Sequence, residues 1–236
     1  MRLMMTLIAD TAQSVDAISA YLADERVNLL GSEQLLDEGA TITEQGEARA
    51  VVERDVSSVR ALWIVDVPSR AAAVELAKKA PGGDGTLEVR ESFTPEDFGA
   101  PPDPDPPAPP PPPVRKPDTH RYVAFIRSHA EEKLPRPTPE SLAPMDAYCA
   151  RLTESNTMIG GEGLRPSGKG TRVRRSAAQR FILDGPFSES KELVGGYMIV
   201  QVRTLDDAVD AIRPWLRIHR EVRGVDRATI EVRRLR

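Results

Sequence analysis

The chain has 236 residues, 40% of them hydrophobic and 29% charged, an ordinary balance for a globular protein of one or two domains. No apolar run approaches the ~18 residues of a membrane-spanning helix, and the single cysteine, Cys149, excludes an intrachain disulfide and fits a reducing cytoplasm. The net charge of −4 conceals two unlike halves: residues 1–98 hold 9 Lys and Arg against 18 Asp and Glu, whereas residues 119–236 hold 21 against 15. Such halves can steer towards each other, or the basic one can meet an anion.

The N-terminal run reads as a strand over Leu3–Ile8, with Leu3, Met5 and Leu7 on one face. Asp10 closes that run, which makes a signal peptide the weaker reading. Ser14 can cap a helix bearing Val15, Ile18 and Leu22 at spacings of 3 and 4. The string GSEQL (Gly31–Leu35), a strand LWIVDV (Leu62–Val67), a capped helix Ser69–Lys79 and a strand TLEVRE at 86–91 follow. From Pro101 to Pro117, 11 of 17 residues are proline. That density admits neither helix nor sheet and predicts a polyproline II tether spanning roughly 50 Å, with a PxxP ligand as the other option.

Beyond it the order recurs. Tyr122–Ile126 reads as a strand. Thr138 or Ser141 can cap a helix with Leu142, Met145, Cys149 and Leu152 on one side, where Cys149 is a small core residue and no nucleophile. GGEGL (Gly160–Leu164) aligns with GSEQL, setting Glu162 opposite Glu33. YMIVQV (Tyr197–Val202), a helix Thr204–Arg213 and TIEVRR at 229–234 align with their counterparts. The expected fold class is α+β: two β-α-β-β-α-β ferredoxin-like units, residues 1–98 and 119–236, joined by a Pro-rich linker at 99–118. A four-stranded sheet with helices on one side leaves its other face in need of cover, so the two units are expected to pair sheet to sheet as an internal pseudo-dimer.

One place breaks the repeat. Between the Glu33/Glu162 pair and the LWIVDV/YMIVQV pair the second half has six more residues, around Asp184-Gly185-Pro186-Phe187. The first half has VVERDVSSVRA there and lacks the Gly-Pro turn and the Lys191-Glu192 pair. DGPFSESKE closely resembles the signature of the YCII-related (DGPF domain) proteins, and GGEGL resembles their second signature. The resemblance implies dimeric α/β-barrel pairing of the units, a degenerate first copy, and a small-molecule site in the second. Some members use a His–Asp pair, for which His129 is the candidate here. Because members are often encoded beside alternative sigma factors, the resemblance also implies a non-catalytic ligand-binding or regulatory module as the alternative to an enzyme.

Asp184, at a strand end before a restricted turn, is either an acid/base group or a cap of its own turn. Glu162, between two glycines where backbone can approach a ligand, is its expected acid/base companion or a solvated loop residue. Lys191 and Glu192 read as substrate-binding groups or a solvated pair, and His129 as a binding group or a loop histidine. No histidine has metal-ligand spacing and no phosphate, nucleophile-elbow or dinucleotide motif occurs, so neither a metal nor a cofactor is expected. Arg172, Arg174, Arg175 and Arg180 lie on a strand without aromatics, which favours a solvated sheet edge over nucleic acid. The expected partner is an unknown small molecule, with no nucleic acid and no membrane; the halves pair within the chain, and further homo-oligomers are open.

Overall fold

The computed structural model describes residues 1–9, 12, 14–25, 27–46, 51–54, 56–98, 114–127, 138–166, 169–176, 179–184 and 194–236. Short apolar runs form strands, and the central ones, such as those at Arg2–Ile8 and His120–Arg127, are buried on both faces. The strands are β1 (Arg2–Ile8), β2 (Asn28–Gln45), β3 (Val51–Glu53), β4 (Val59–Asp66) and β5 (Gly85–Glu91) in the first half. The second half supplies β6 (His120–Arg127), β7 (Met158–Gly163), β8 (Thr171–Arg175), β9 (Arg180–Asp184), β10 (Val194–Val202) and β11 (Arg227–Leu235). Helices α1 (Val15–Asp24), α2 (Arg70–Lys79), α3 (Pro139–Glu154) and α4 (Leu205–Arg223) carry the 3.6-residue patterns. The result is an α+β fold built on antiparallel pairing, and no helix among the described residues is long and apolar enough to cross a membrane.

The caps follow the sequence in three cases and depart in one. Ser69 and Thr138 each accept a hydrogen bond from the third backbone N–H after them, and Thr204 with Asp207 forms a capping box. Ser14 precedes α1 but caps nothing there; its hydroxyl accepts from the Gly83 N–H at 3.1 Å and ties α1 to the turn after α2. Helix α4 also runs ten residues beyond the expected stop at Arg213. Pro214 removes one backbone donor, yet Trp215 and Leu216 continue the buried stripe begun by Leu205, Ala208, Val209 and Ile212, and that burial outweighs the lost bond.

The strand order is β7-β10-β6-β11-β2-β4-β1-β5-β8-β9, with β3 paired to β2. Two strands divide their pairing between the halves. Residues 28–34 of β2 pair with β4, whereas residues 35–45 pair with β11 of the second half. There Ala40 and Ile42 of β2 pack with α4 residues. Reciprocally, β8 pairs with β5, and its Val173 joins the cluster under α1 and α2. The sheet also returns on itself: Leu164 bridges Ser92, the Phe93 N–H donates to the Gly163 carbonyl at 2.9 Å, and the Arg165 N–H donates to Glu91 at 2.8 Å.

Three cores result. One lies under α1 and α2, one under α3 and α4, and a third between the sheets, where Met4, Leu62 and Ile64 meet Val123, Phe125, Val194 and Tyr197. Two buried ion clusters flank that seam. Arg90 donates to Glu88 at 3.1 Å and to the Arg165 carbonyl, and Arg233 donates to Glu231 at 3.2 Å and to the Leu36 carbonyl at 2.7 Å. The strings LEVRE and IEVRR therefore place the same pair in the same way twice.

Of the four arginines expected at a solvated edge, Arg174 and Arg180 are exposed, whereas Arg172 and Arg175 are drawn into the fold. Strand β8 lies between β5 and β9. Arg172 donates to Glu88 at 2.6 Å, and Arg175, 2% exposed, donates to the Ala80 and Gly82 carbonyls at the end of α2. A cation suits that end, where carbonyls lack helical partners. Only the last residues of the Pro-rich stretch are described. Val114 there accepts from Asn156 and Gln201 side chains, and the Lys116 N–H donates to Gln201. The tether proper, from Pro101 to Pro113, lies outside the described residues.

Candidate functional site

A cavity of about 740 Å³ opens in the second half. Its walls are Leu142, Met145 and Cys149 of α3, Trp215 and His219 of α4, and the glycine-rich backbone of β7 and β10; Phe93 and Phe98 close it from the first half. GGEGL, whose bland alternative was a loop, is most of β7. The glycines matter for pairing: a Cβ at Gly161 would lie 2.7 Å from the Tyr197 carbonyl oxygen, and one at Gly196 2.9 Å from that of Glu162. They also leave this part of the sheet bare of side chains, so the cavity reaches backbone, as binding sites with placed polar groups require.

Glu162 is the carboxylate that β7 brings to this cavity, beside Asp146 of α3. Its Oε1 accepts from Arg2 Nη1 at 2.6 Å and its Oε2 accepts from the Ser92 hydroxyl, while its side chain is 16% exposed. Arg2 and Ser92 both come from the first half. The counterpart, Glu33, accepts from Arg121 of the second half at 2.5 Å. Each half thus holds the other's glutamate with an arginine of its own first strand. Glu162 differs in having the serine and in facing the cavity.

His219 is the cavity's other titratable group of note. Burial and then the nearby Arg223 push its imidazole down to about 4 from the ordinary 6.5, so it is neutral near pH 7. Asp146 and Cys149 of α3 and Glu162 of β7 line the same space. Burial, then Asp146, pushes the Cys149 thiol up, which keeps it protonated and suits a packed residue and no nucleophile. Burial likewise raises Tyr197, with Glu162 adding to it.

The His219 shift has a sign. The unfolded chain takes up the proton first, so the stability linked to His219 is present above pH 6.5 and is lost as pH falls towards 4. Urea midpoints should fall across that window in the wild type and fall less in His219→Gln. Identical pH slopes for the two would contradict a buried neutral imidazole.

Asp184 ends β9, and its Oδ1 accepts from the Thr171 hydroxyl at 2.7 Å. Thr171 is opposite Val89, three residues before Ser92, and β9 lies one strand beyond β8. Strand spacing and rise put Asp184 roughly 14 Å from the backbone of Ser92, which holds Glu162. The expected Asp184–Glu162 pair is therefore not assembled, and Asp184 is not among the cavity's walls. The position differs because the six-residue excess sits beside a β8–β9 hairpin that carries Asp184 away along the sheet. His129, Lys191 and Glu192 lie outside the described residues. Sequence reasoning passed over His219 because the helix was expected to end at Arg213; its spacing of 3 and 4 from Leu216 and Trp215 was the available signal.

No family model matches the chain. Over 50 residues, 21% of its length, it is 36% identical to an uncharacterised protein of Rhizobium meliloti (strain 1021), R00369. The chain spans 40% of the length of that relative.

Proposed function

We propose that this chain is a duplicated YCII-related protein whose second unit takes up a small, largely apolar molecule, with Glu162 as its acid/base or anchoring carboxylate. The observation that carries the reading is the cavity that holds Glu162 beside Ser92, His219 and a glycine-lined strand, in the half bearing the DGPFSESKE string. Two ferredoxin-like units, residues 1–98 and 119–236, are supported by strand orders β5-β1-β4-β2 and β11-β6-β10-β7, which are the same order of equivalent strands. The reciprocal Glu33–Arg121 and Glu162–Arg2 pairs support a pseudo-two-fold relation of the dimeric α/β-barrel type. Lys191, Glu192 and His129 rest on the resemblance alone.

Within this proposal, a ligand would meet apolar walls from both helices and be oriented by Glu162, Asp146 and one neutral imidazole. Glu162, already bonded to a guanidinium and a hydroxyl, is pre-set as an acceptor, and the neutral His219 ring can donate one hydrogen bond and accept another. The second reading is a binding module without chemistry. It is favoured by the position of Asp184, whose hydrogen bond goes to Thr171 and not to the cavity.

A thermal-shift screen of a fragment library against the wild type, Glu162→Gln and Glu33→Gln separates site from scaffold. Both glutamates pair with an arginine, but only Glu162 lines the cavity. Fragments that stabilise the wild type should bind Glu162→Gln about tenfold or more weakly, since a charge-assisted bond contributes about 1.5–3 kcal/mol, and should bind Glu33→Gln as well as before. Equal losses in both variants would make Glu162 a structural residue, and a library with no hit would remove the binding reading. Turnover of a hit, abolished in Glu162→Gln, would decide for an enzyme over a binding module.

A further inference from the structure

Strand β9, Arg180-Phe181-Ile182-Leu183-Asp184, closes the strand order, and among the described residues no strand pairs with its outer edge. All five residues are exposed, and Phe181, Ile182 and Leu183 show 51%, 46% and 45% of their surface. Three consecutive large apolar residues, on an edge that no described strand pairs, present apolar surface on both faces of the strand. Proteins usually blunt such an edge with charge, proline or a bulge, because its unpaired N–H and C=O groups invite another strand. Here the charges stand only at the two ends.

Those end charges are of opposite sign: Arg180, whose Nη1 donates to the Ser176 and Gln179 carbonyls at 2.6 and 3.2 Å, and Asp184. If two copies of β9 run antiparallel about a two-fold axis through Ile182, Arg180 of each faces Asp184 of the other. Phe181 then faces Leu183, twice, and Ile182 meets its own equivalent. Every opposed pair is complementary: two of opposite charge and three apolar. A shift of the centre by one residue, to Phe181 or Leu183, loses both ion pairs. Asp184 is oriented for this by Thr171, whose hydroxyl fixes one carboxylate oxygen. The equivalent arm in the first half, β3, is three residues long and has Val51, Val52 and Glu53, without a charge pair of this kind.

We infer that β9 is a homotypic docking edge, through which two copies of this chain join by antiparallel β9–β9 pairing centred on Ile182. The interface is isologous, closes at two copies, and continues the sheet across the axis. A five-residue strand on each side buries little surface, so the dimer belongs to the weak, concentration-dependent class. It also places two unlike groups, Arg180 and Asp184, in a role that neither the cavity nor the seam uses.

Sedimentation velocity of the full chain over a broad concentration range tests this. The wild type should show reversible monomer–dimer exchange. Arg180→Asp sets carboxylate against Asp184 of the second copy and should weaken the dimer at least roughly tenfold, as two cross-strand ion pairs become repulsive. The double variant Arg180→Asp/Asp184→Arg restores opposite charges and should recover the dimer, whereas Ile182→Lys, which sets like charges on the axis, should abolish it. Circular dichroism of each variant checks folding, and these exposed positions should leave it unchanged. A wild type that stays monomeric overturns the inference. So does a dimer indifferent to Ile182→Lys, which would lie elsewhere, or a charge swap that fails to recover pairing in a folded double variant.

Discussion

Glu231→Ala should lower the stability of this chain by about 3–5 kcal/mol, the cost of leaving buried charge without its partner. Glu231 is 2% exposed; it accepts from Arg127, from Arg233 at 3.2 Å, and from the Ser57 N–H and hydroxyl at 3.1 and 2.9 Å. Removing it takes a buried carboxylate from two guanidiniums, of which Arg233 is 0% exposed and keeps only the exposed Asp37, at 3.6 Å, as a charged partner among the described residues. Arg233 is also bonded to the Leu36, Ser57 and Val59 carbonyls, so the cluster fastens β11 to the first half. The urea midpoint should drop with little change in slope. The double variant Arg127→Met/Glu231→Leu should recover only part of that loss, because it removes one of the two guanidiniums and leaves Arg233 buried without this carboxylate. If Glu231→Ala costs under about 1 kcal/mol, the cluster is hydrated and the seam is not closed.

The same residue sets an acid limb. Burial raises the Glu231 carboxyl, but Arg127, Ser57 and Arg233 together outweigh that and hold it below the ordinary 4.5. A depressed folded pKa contributes stability that is present above 4.5 and lost as pH falls through the lower folded value. This window opens at 4.5, inside the lower end of that of His219, so the two losses are separated by variant and not by pH alone.

The second large effect is in the seam itself. Phe125→Ala should cost about 3–5 kcal/mol, from the lost transfer energy and the cavity left behind. Phe125 is 0% exposed among Met4, Leu62, Ile64, Val123 and Tyr197, contributed by both sheets, and Arg127 lies 5.9 Å from its ring centre. Neighbours drawn from two sheets that are each pinned by their own helices cannot collapse freely, which favours the upper part of that range. Phe125→Leu should cost much less, as volume is largely kept. A loss under about 1 kcal/mol on Phe125→Ala, measured by urea unfolding, would mean that the two sheet faces do not pack on each other.

Much of this architecture was legible because it is local. The short apolar runs Leu3–Ile8, Leu62–Val67 and Tyr122–Ile126 mark strands buried on both faces: Leu3, Met5, Trp63, Tyr122 and Ala124 face the helices, and the alternate residues Met4, Leu62, Val123 and Phe125 form the seam. The Thr204 capping box and the Ser69 cap lie where polar residues precede an apolar stripe. What sequence reading missed depends on pairing across long separations. Nothing local in Ala40-Thr41-Ile42 announces that β2 will cross to β11, nor in Arg175 that it will end on α2 carbonyls from the other half. The site divides in the same way. Glu162 was found because glycines flank it. Its partners, Arg2 and Ser92, arrive from 160 and 70 residues away and carry no motif. Asp184 was drawn towards Glu162 by resemblance, and the β8–β9 pairing carries it elsewhere.

The claim that the second half holds a small-molecule site is tested most directly by the two indole N–H signals in nuclear magnetic resonance. The chain has two tryptophans: Trp215 lines the cavity, and Trp63 is fully buried in the first half, donating to Ser19 at 3.0 Å. Titration of the best-stabilising fragment should move the Trp215 signal saturably and leave Trp63 in place, with the Trp215 response weakened in Glu162→Gln. A fragment that stabilises the chain while moving Trp63 alone, or both signals equally, would contradict a binding site in the second half.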